Sequence, residues 1–178
     1  MNINVAEIDS PVGCLTVAAQ GSALIALYFE NLSDKRIKAI EKRFGNGSLV
    51  AAKDPAGIRR QLRAYFAGDI DALRNVEVKT WGTPFQQSVW AELRRIPAGE
   101  TRSYGELATA IGSPKAVRAV GAANGANPVG IVVPCHRVIG ANGKLTGFAG
   151  GLEAKRWLLE HENGCQGLFA GSCVKPAA

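Results

Sequence analysis

Apolar and polar positions along the chain change period near residue 80. Between residues 2 and 29, alternating or apolar runs are interrupted by turn-forming residues at 10–13 and 20–22. A period of two residues, broken by Gly, Pro and Ser, is typical of short strands joined by tight turns. The pattern therefore predicts three antiparallel strands at the start of the chain.

Two helices are predicted to complete the first part of the chain. A capping residue at Ser33 or Asp34 begins one that runs through residue 44, and Asp54 before Pro55 begins another that ends near residue 68. Strands followed by helices are typical of an α+β unit. We place this N-terminal α+β domain at residues 1–80.

A second, mainly helical domain is predicted at residues 81–178. Thr83, with Gln86 three residues later, forms a capping box for a helix that runs to about residue 95. A last amphipathic helix runs from Leu152 to Glu162 and stops at a glycine. A Gly-rich tail follows after residue 163.

The middle of this domain has the layout of a helix-turn-helix. Ser103 with Glu106 is a second capping box and begins a helix to about residue 111. Ser113 can cap a further helix with Pro114 at its first position, running to about residue 124. Two helices joined by a short Gly-containing turn predict a helix-turn-helix at about residues 103–124.

The second of these helices consists almost entirely of small residues, apart from Lys115 and Arg118. Small side chains let a helix backbone come close to a DNA groove, with Arg118 as the one long side chain able to reach in. They also occur where a helix packs tightly on the core of its own protein. Composition alone does not separate these two interpretations.

A cysteine and a histidine are adjacent in the sequence at the end of an apolar run. Residues 131–133 read as a buried strand, and Pro134 ends it in a turn that presents Cys135. His136 and Arg137 follow, and a basic neighbour lowers the pKa of a thiol and favours the nucleophilic thiolate. The alternative is an inert, buried cysteine. The basic pair favours a reactive thiol at a strand end.

Composition and charge limit the classes of protein. With 178 residues and 47% hydrophobic content, the chain can build a packed core. Neither a membrane-spanning run nor the features of a signal peptide occur, so we expect a cytoplasmic protein with reduced thiols. The formal net charge is +6, and residues 94–144 hold seven basic against two acidic side chains. This surplus fits a nucleic-acid partner or a solvated basic face.

These motifs resemble the O6-alkylguanine-DNA alkyltransferases, also called methylated-DNA–protein-cysteine methyltransferases. The residues that carry the resemblance occur in the order of that family: Arg-Ala-Val-Gly at 118–121, Asn-Pro at 127–128, Pro-Cys-His-Arg-Val at 134–138, Gly-Gly-Leu at 150–152 and the helix at 155–162. The resemblance covers residues 83–162. The first eighty residues look like the variable N-terminal domain of the family.

The resemblance implies direct-reversal repair of double-stranded DNA by a monomer. An O6-alkylguanine is rotated out of the duplex from the minor groove, and its alkyl group is displaced onto Cys135. O4-alkylthymine is left open as a second substrate. Because a thioether is neither readily hydrolysed nor a good leaving group, we expect one transfer per molecule. No cofactor is expected.

The resemblance also implies roles for individual residues. A water links the Cys135 thiol to His136, which is held by Glu162, while Asn127 holds the turn and Tyr104 donates to a guanine ring nitrogen. The residues expected to contact DNA are Lys115, Ala116, Arg118 and Gly121, and the arginine enters the base stack. The residues expected to form the substrate pocket are Val138, Phe148, Ala149 and Gly150.

The sequence departs from its relatives at two places. Phe148 and Ala149 stand where some relatives have Tyr and Ser, so any contribution of a serine hydroxyl is lost. The N-terminal half has one cysteine, Cys14, and no histidine, and Cys165 and Cys173 lack the spacing of zinc ligands. We therefore predict no metal site.

Two other classes of function remain as alternatives. A Cys-His hydrolase uses the same two residue types, but it turns over repeatedly and usually adds an orienting Asn or Asp. A lesion-binding DNA module would recognise damage without repairing it. The presence of Cys135 argues against such a module.

Overall fold

Three antiparallel strands begin the chain in the computed structural model, which describes residues 2–31, 33–44 and 49–164. They are β1 (Ile3–Ser10), β2 (Gly13–Gln20) and β3 (Ala23–Tyr28). Their connections include Gly13 and Gly21 at φ values of 99° and 63°. Glycine adopts these positive values at little steric cost. The three predicted strands are confirmed.

The sheet has a fourth strand that the sequence did not predict. β4 (Leu49–Ala51) lies parallel to β1, and the strand order is β3-β2-β1-β4. The sheet therefore has one strand more than the three predicted. β4 has only three residues and none of them is buried, so it lacks the alternation by which a half-buried strand is recognised.

Helices cover both faces of the sheet. α1 (Asp34–Phe44) packs against one face through Ile40, which belongs to a buried cluster with Ile3, Ile25 and Tyr28. The other face receives α2 (Ile58–Phe66), which follows a 3₁₀ turn at Pro55–Gly57 and buries Ile58, Leu62 and Tyr65. Both helices predicted in the first half are present, but the second begins at Ile58 and not at Pro55, because Ala56 and Gly57 have φ values of 51° and 71° that a helix cannot continue through.

The second half is mainly helical, as predicted. It contains α3 (Pro84–Leu93), β5 (Arg102–Ser103), α4 (Tyr104–Ala110), α5 (Val117–Gly125), β6 (Val138–Ile139) and α6 (Gly151–Glu162). Both capping boxes form, at Thr83 for α3 and at Ser103 for α4. The short strands β5 and β6 pair in parallel. The predicted Gly-rich tail from residue 165 lies outside the described residues.

α5 starts later than the sequence predicts. It begins at Val117, because Ala116 N donates to Ser113 O at 2.8 Å and closes a turn. Pro114 occupies the second position of this turn, which is a position that proline also favours in β-turns. The predicted start at Pro114 is therefore wrong by three residues.

A single core joins the two halves of the chain. The larger buried cluster contains Leu27 and Leu62 from the first half and Trp90 and Leu158 from the second. The division into domains at residues 1–80 and 81–178 remains a prediction, since the packing is continuous across residue 80. Among the described residues, no helix has the length and apolar character needed to cross a bilayer.

The edge of β3 that does not pair with β2 holds the segment that precedes Cys135. Leu24 N donates to Glu77 O at 2.9 Å, and Leu27 N donates to Pro128 O at 2.9 Å. Gly130 N completes the second pairing by donating to Leu27 O at 3.0 Å. The backbone just before Cys135 is thus fixed on the sheet of the N-terminal half.

Candidate active site

The segment before Cys135 is a series of tight turns. Ile131 has a φ of 65°, and the amide after it donates to the carbonyl before it at 2.7 Å. A second three-residue turn forms across Pro134, where Cys135 N donates to Val133 O at 2.8 Å. The predicted strand at 131–133 is therefore wrong. A short apolar run indicates burial, which is observed, but it does not distinguish a strand from buried turns.

Two asparagines hold the turn that carries the cysteine. Cys135 lies in the 3₁₀ turn Cys135–Arg137 and is 5% exposed. Asn127 Nδ2 donates to Cys135 Sγ at 3.2 Å and to Val133 O at 2.8 Å. Asn124 Nδ2 donates to Cys135 O at 3.3 Å. The resemblance implied that Asn127 holds this turn; the structure places its amide on both Val133 O and the sulfur, and adds Asn124.

The resting thiol is protonated. Burial raises the pKa of Cys135, and the hydrogen bond from Asn127 and the charge of Lys155 oppose this only in part. We expected cationic neighbours to give a lowered pKa, but burial outweighs them and the net shift is upward. Burial lowers the pKa of His136, so the imidazole is neutral at neutral pH, and the Arg137 guanidinium is engaged by a carboxylate on α6. Ionisation of the thiol therefore requires a base.

His136 is held in one tautomer by Glu162. His136 Nε2 lies 2.9 Å from Glu162 Oε1, and both side chains are fully buried. Burial would raise the pKa of Glu162, but hydrogen bonds from His136 and Arg137 outweigh it and hold that pKa well below the ordinary value. An ionised carboxylate only accepts, so Nε2 carries the proton. Nδ1 is then the basic nitrogen, and it has no hydrogen-bond partner within the described part of the chain.

The carboxylate of Glu162 accepts hydrogen bonds from four residues. Besides His136, Arg137 donates to it twice, with Nε on Oε2 and Nη2 on Oε1, at 2.8 Å each. The Tyr65 hydroxyl donates to Oε1 at 2.8 Å, and Gly99 N to Oε2 at 3.4 Å. We call Tyr65, His136, Arg137 and Glu162 the Glu162 network. Its complete hydrogen bonding accounts for a buried ionised carboxylate.

A buried lysine lies behind the cysteine turn. Lys155 is 0% exposed, and its Nζ donates to Val138 O at 2.6 Å and to Thr146 O at 2.9 Å. Burial lowers the pKa of Lys155, whereas Cys135 raises it. The ammonium group joins the end of the cysteine turn to the loop that follows β6.

A cavity of about 380 Å³ opens at the cysteine. Its lining comes from both halves of the chain and includes Leu27, Phe29, Arg36, Asn127, Cys135 and Phe148. Phe29, just after β3, meets Phe148 edge to face with ring centroids 5.0 Å apart. Cys135 therefore borders a space that can hold a ligand, despite its low exposure.

The predicted pocket residues separate into two groups. Phe148 and Ala149 line the cavity. Val138 is fully buried, and its carbonyl accepts from the lysine behind the turn. Gly150 lies against Phe29, since a Cβ added there would be 2.7 Å from Phe29 Cδ1. The last two residues therefore shape the cavity from behind its surface.

The predicted DNA-contacting residues lie on and before α5. Lys115 and Arg118 are exposed, and Ala116 is partly exposed. Gly121 is turned toward α4, because a Cβ added there would lie 3.9 Å from the Tyr104 ring. The hydroxyl oxygen of Tyr104 accepts from Thr146 Oγ1 at 3.0 Å, which leaves the phenol proton available to a ligand.

Small residues occupy both sides of α5. Val120 and Ala123 are buried, and Ala123 O accepts from Trp90 Nε1 at 2.8 Å. The side turned to solvent, which we call the outer face of α5, is formed by Arg118, Ala119, Ala122 and Gly125, and Val117 at the start of the helix is also exposed. Packing on the core therefore explains the small residues on the buried side only, and the outer face stays open to the DNA-groove interpretation.

Besides Asn124, sequence reasoning missed three members of the site. Tyr65 looked like an ordinary core residue of an amphipathic helix, and it is 97 positions away from Glu162 along the chain. Arg137 was noted only as a cation beside the cysteine, although the signature that contains it was a usable signal. Lys155 stands on α6 where an exposed lysine is the common case.

The described residues contain no cluster of three or more His, Cys, Asp or Glu side chains that could hold a metal ion. Chemically, the site offers a thiol, a neutral imidazole with one free nitrogen, and an ionised carboxylate that fixes the imidazole. This arrangement can deprotonate a cysteine for nucleophilic attack on a group in the cavity.

Comparison with known proteins assigns both halves to one family. Residues 84–164 match the model of the 6-O-methylguanine DNA methyltransferase DNA-binding domain, and residues 5–80 match that of the 6-O-methylguanine DNA methyltransferase ribonuclease-like domain. A methylated-DNA–protein-cysteine methyltransferase of Salmonella typhimurium is 48% identical over 88% of this chain and 93% of that protein. One from Mycobacterium bovis is 50% identical over 90% of this chain and 92% of that protein.

Solved structures of relatives have the same fold. A crystal structure of Mycobacterium tuberculosis OGT in complex with DNA has a TM-score of 0.76 at 46% identity, covering 93% of this chain and 94% of that one. An O6-methylguanine-DNA methyltransferase from Pyrococcus kodakaraensis has a TM-score of 0.67 at 27% identity, covering 90% of this chain and 98% of that one.

Proposed function

The chain belongs to the 6-O-methylguanine DNA methyltransferase family, and from this premise we propose that it repairs DNA by moving an alkyl group from guanine O6 to its own Cys135. One observation carries the proposal. Cys135 Sγ lies at a cavity and accepts a hydrogen bond from Asn127, while the next residue, His136, offers a free Nδ1 and is fixed by Glu162. A nucleophile, its base and an orienting carboxylate are the parts that such a displacement needs.

The first chemical step is removal of the thiol proton. The S–H bond of Cys135 breaks, and His136 Nδ1 takes the proton through a bridging water. Because Glu162 accepts from Nε2, it stabilises the imidazolium that forms. Asn127 donates to the sulfur and supports the developing thiolate.

The second step is displacement at the alkyl carbon. A bond forms between Cys135 Sγ and this carbon while the bond from the carbon to guanine O6 breaks, and guanine leaves with the electron pair. Tyr104 donates its phenol proton to a ring nitrogen of the departing base, so that guanine is released neutral. The hydroxyl of Tyr104 accepts from Thr146 and keeps its own proton for this purpose.

DNA approaches along the outer face of α5. Arg118 is its only long side chain and enters the base stack in place of the rotated nucleotide. Ala119, Ala122 and Gly125 allow close approach to a minor groove only about 6 Å wide. Lys115 contributes a phosphate contact. We propose a monomer that binds double-stranded DNA in this way and acts in the cytoplasm, where thiols stay reduced.

The transfer occurs once per molecule and needs no cofactor. The thioether at Cys135 is neither hydrolysed readily nor a good leaving group, and Cys14, the other described cysteine, lies in β2. A Cys-His hydrolase, in contrast, would regenerate its thiol and turn over. Stoichiometry therefore separates the two classes.

Intact-mass measurement tests the function. The protein is incubated with excess duplex containing O6-methylguanine, and one added methyl group is expected, on the peptide that contains Cys135. Cys135→Ser should bind the duplex and gain no mass. More than one transfer per chain, or a methyl group on another residue, would overturn the proposal. Binding without any transfer by the unaltered protein would instead support a lesion-binding module.

A further inference from the structure

The N-terminal half contributes one polar group to the Glu162 network. Tyr65 lies on α2, is 1% exposed, and donates its hydroxyl proton to Glu162 Oε1 at 2.8 Å. The same oxygen accepts from His136 Nε2 at 2.9 Å. The phenol and the imidazole therefore share one carboxylate oxygen.

The tyrosine is held firmly in this position. Tyr65 O accepts from His161 Nε2 at 2.6 Å, and the His161 ring meets the Tyr65 ring edge to face at a centroid distance of 5.1 Å. Burial and the neighbouring Glu162 carboxylate raise the pKa of Tyr65 far above its ordinary value. The hydroxyl is therefore a protonated donor at neutral pH.

Because Tyr65 and His136 share Glu162 Oε1, the phenol affects how readily His136 takes up a proton. A carboxylate that accepts a strong hydrogen bond at Oε1 carries less negative charge there, so it attracts the proton of His136 less strongly. Without the phenol donor, the carboxylate would stabilise the imidazolium more. The Tyr65 hydroxyl thus weakens the hold of Glu162 on a protonated His136.

We propose that Tyr65 is a positioning residue for alkyl transfer, whose hydroxyl, by donating to Glu162 Oε1, keeps His136 in its neutral, proton-accepting form near neutral pH. The inference rests on the proposed function, because it assigns His136 as the base. It gives the N-terminal half a part in the chemistry that binding DNA alone would not require. Tyr65 touches neither the thiol nor the cavity and acts through Glu162.

The charged and titratable groups around His136 come from three elements. Glu162 and Lys155 belong to α6, and Tyr65 belongs to α2. Cys135 and Arg137 are its neighbours in the 3₁₀ turn. The positive charges of Arg137 and Lys155 oppose protonation of His136, whereas Glu162 favours it. Tyr65 is the one neutral side-chain donor to that carboxylate among the described residues besides His136 itself.

The test compares the pH dependence of the single-turnover transfer rate in three proteins. Tyr65→Phe removes only the hydroxyl and should move the acid limb of the profile upward by about half a pH unit to one pH unit. At a pH on that limb, the transfer should become about threefold to tenfold slower. Replacement of Tyr65 by 3-fluorotyrosine makes the phenol a stronger donor and should move the limb downward.

Ile58→Val is the matched control for lost packing. Ile58 is fully buried on the same helix and belongs to the same core cluster as Tyr65. This variant should lower the thermal midpoint without moving the acid limb. If Tyr65→Phe behaves in the same way, with a lower midpoint and an unchanged limb, Tyr65 is only a core residue and the inference is wrong.

A second measurement keeps the inference separate from the proposed function. The chain has two histidines, so the imidazole signals of His136 can be assigned and titrated by NMR without DNA. The pKa of His136 measured in this way should be higher in Tyr65→Phe and lower with 3-fluorotyrosine. The 3-fluorotyrosine protein also keeps the packing of the ring, so it remains a test if the phenylalanine variant fails to fold. An unmoved titration refutes the inference. Absence of transfer by the unaltered protein refutes the function instead.

Discussion

The Glu162 network and the outer face of α5 are built in opposite ways. In the network, the polar and charged side chains are buried, except Arg137 at 12% exposure, and each has a partner: Glu162 accepts from Tyr65, His136 and Arg137. On the outer face, almost nothing projects beyond a methyl group except Arg118. The network is defined by its internal hydrogen bonds, whereas the outer face is defined by its lack of long side chains.

The two regions also differ in how much they contribute to the stability of the fold. A buried charge is tolerated only when its hydrogen bonds are complete, so each member of the network depends on the others. The outer face contributes little to the stability of the free protein, because exposed alanines and glycines bury no surface. Substitutions in the network should therefore affect folding and chemistry together, whereas those on the outer face should affect only binding.

The largest effect is expected for Glu162→Gln. The substitution leaves the largely buried Arg137 guanidinium against a neutral amide, and loss of one partner of a buried pair costs about 3–5 kcal/mol of unfolding free energy. Urea denaturation measures this loss. Glu100→Gln is the matched control, because its pair with Arg102 is 43–50% exposed and should cost less than about 1 kcal/mol. Equal losses in the two variants would contradict the comparison.

Acidification should weaken the network in two stages. The pKa of His136 is lowered in the folded protein, so stability falls as the pH drops below its ordinary value of 6.5, where the unfolded chain gains a proton. The pKa of Glu162 is also lowered, so its contribution is present above the ordinary value of 4.5 and is lost as the pH falls further. Glu162→Gln should still lose stability as the pH drops below 6.5, but it should lack the further loss below 4.5. Unfolding free energies measured across the pH range test this.

The sequence predicts these two regions unequally. Capping residues and the two-residue period are local signals, and they gave the three antiparallel strands, the helices and both capping boxes. The small residues of α5 are also visible as one short segment between residues 118 and 125, but their composition did not show which of them face solvent. The cysteine and histidine were recognisable because they adjoin.

The rest of the site depends on contacts between distant segments. Tyr65 meets Glu162 only after the two halves pack together, so no local pattern distinguishes it from a core tyrosine. The apolar run before Cys135 indicated burial but not the turn at Ile131, which adopts a φ of 65° that is rare for a β-branched residue. Burial also reversed the expected direction of the Cys135 pKa shift.

On the outer face, Ala122→Leu should weaken binding to a duplex containing O6-methylguanine. A leucine there holds the helix backbone away from a narrow groove, and a tenfold loss of affinity corresponds to about 1.4 kcal/mol. Leucine and alanine are both good helix formers, so the fold should be kept. Ala91→Leu, at an exposed position of α3, is the control and should bind as the unaltered protein does. Fluorescence anisotropy with labelled duplex measures both, and unchanged affinity of Ala122→Leu would mean that the outer face does not approach DNA.

The smallest effect is expected at the N-terminal cap of α4, the first helix of the helix-turn-helix. Ser103 Oγ accepts from Glu106 N at 3.2 Å, and Glu106 Oε2 accepts from Ser103 N at 2.7 Å, so Ser103→Ala removes one side of the capping box of α4. Loss of such a cap costs about 1 kcal/mol, which urea denaturation resolves, whereas Ser103→Thr should keep most of that stability. Because the cap lies outside the Glu162 network, the acid limb of the transfer rate should stay in place. A shift of that limb in Ser103→Ala would mean that the helix-turn-helix and the buried network are coupled, and that the two regions cannot be treated as independent.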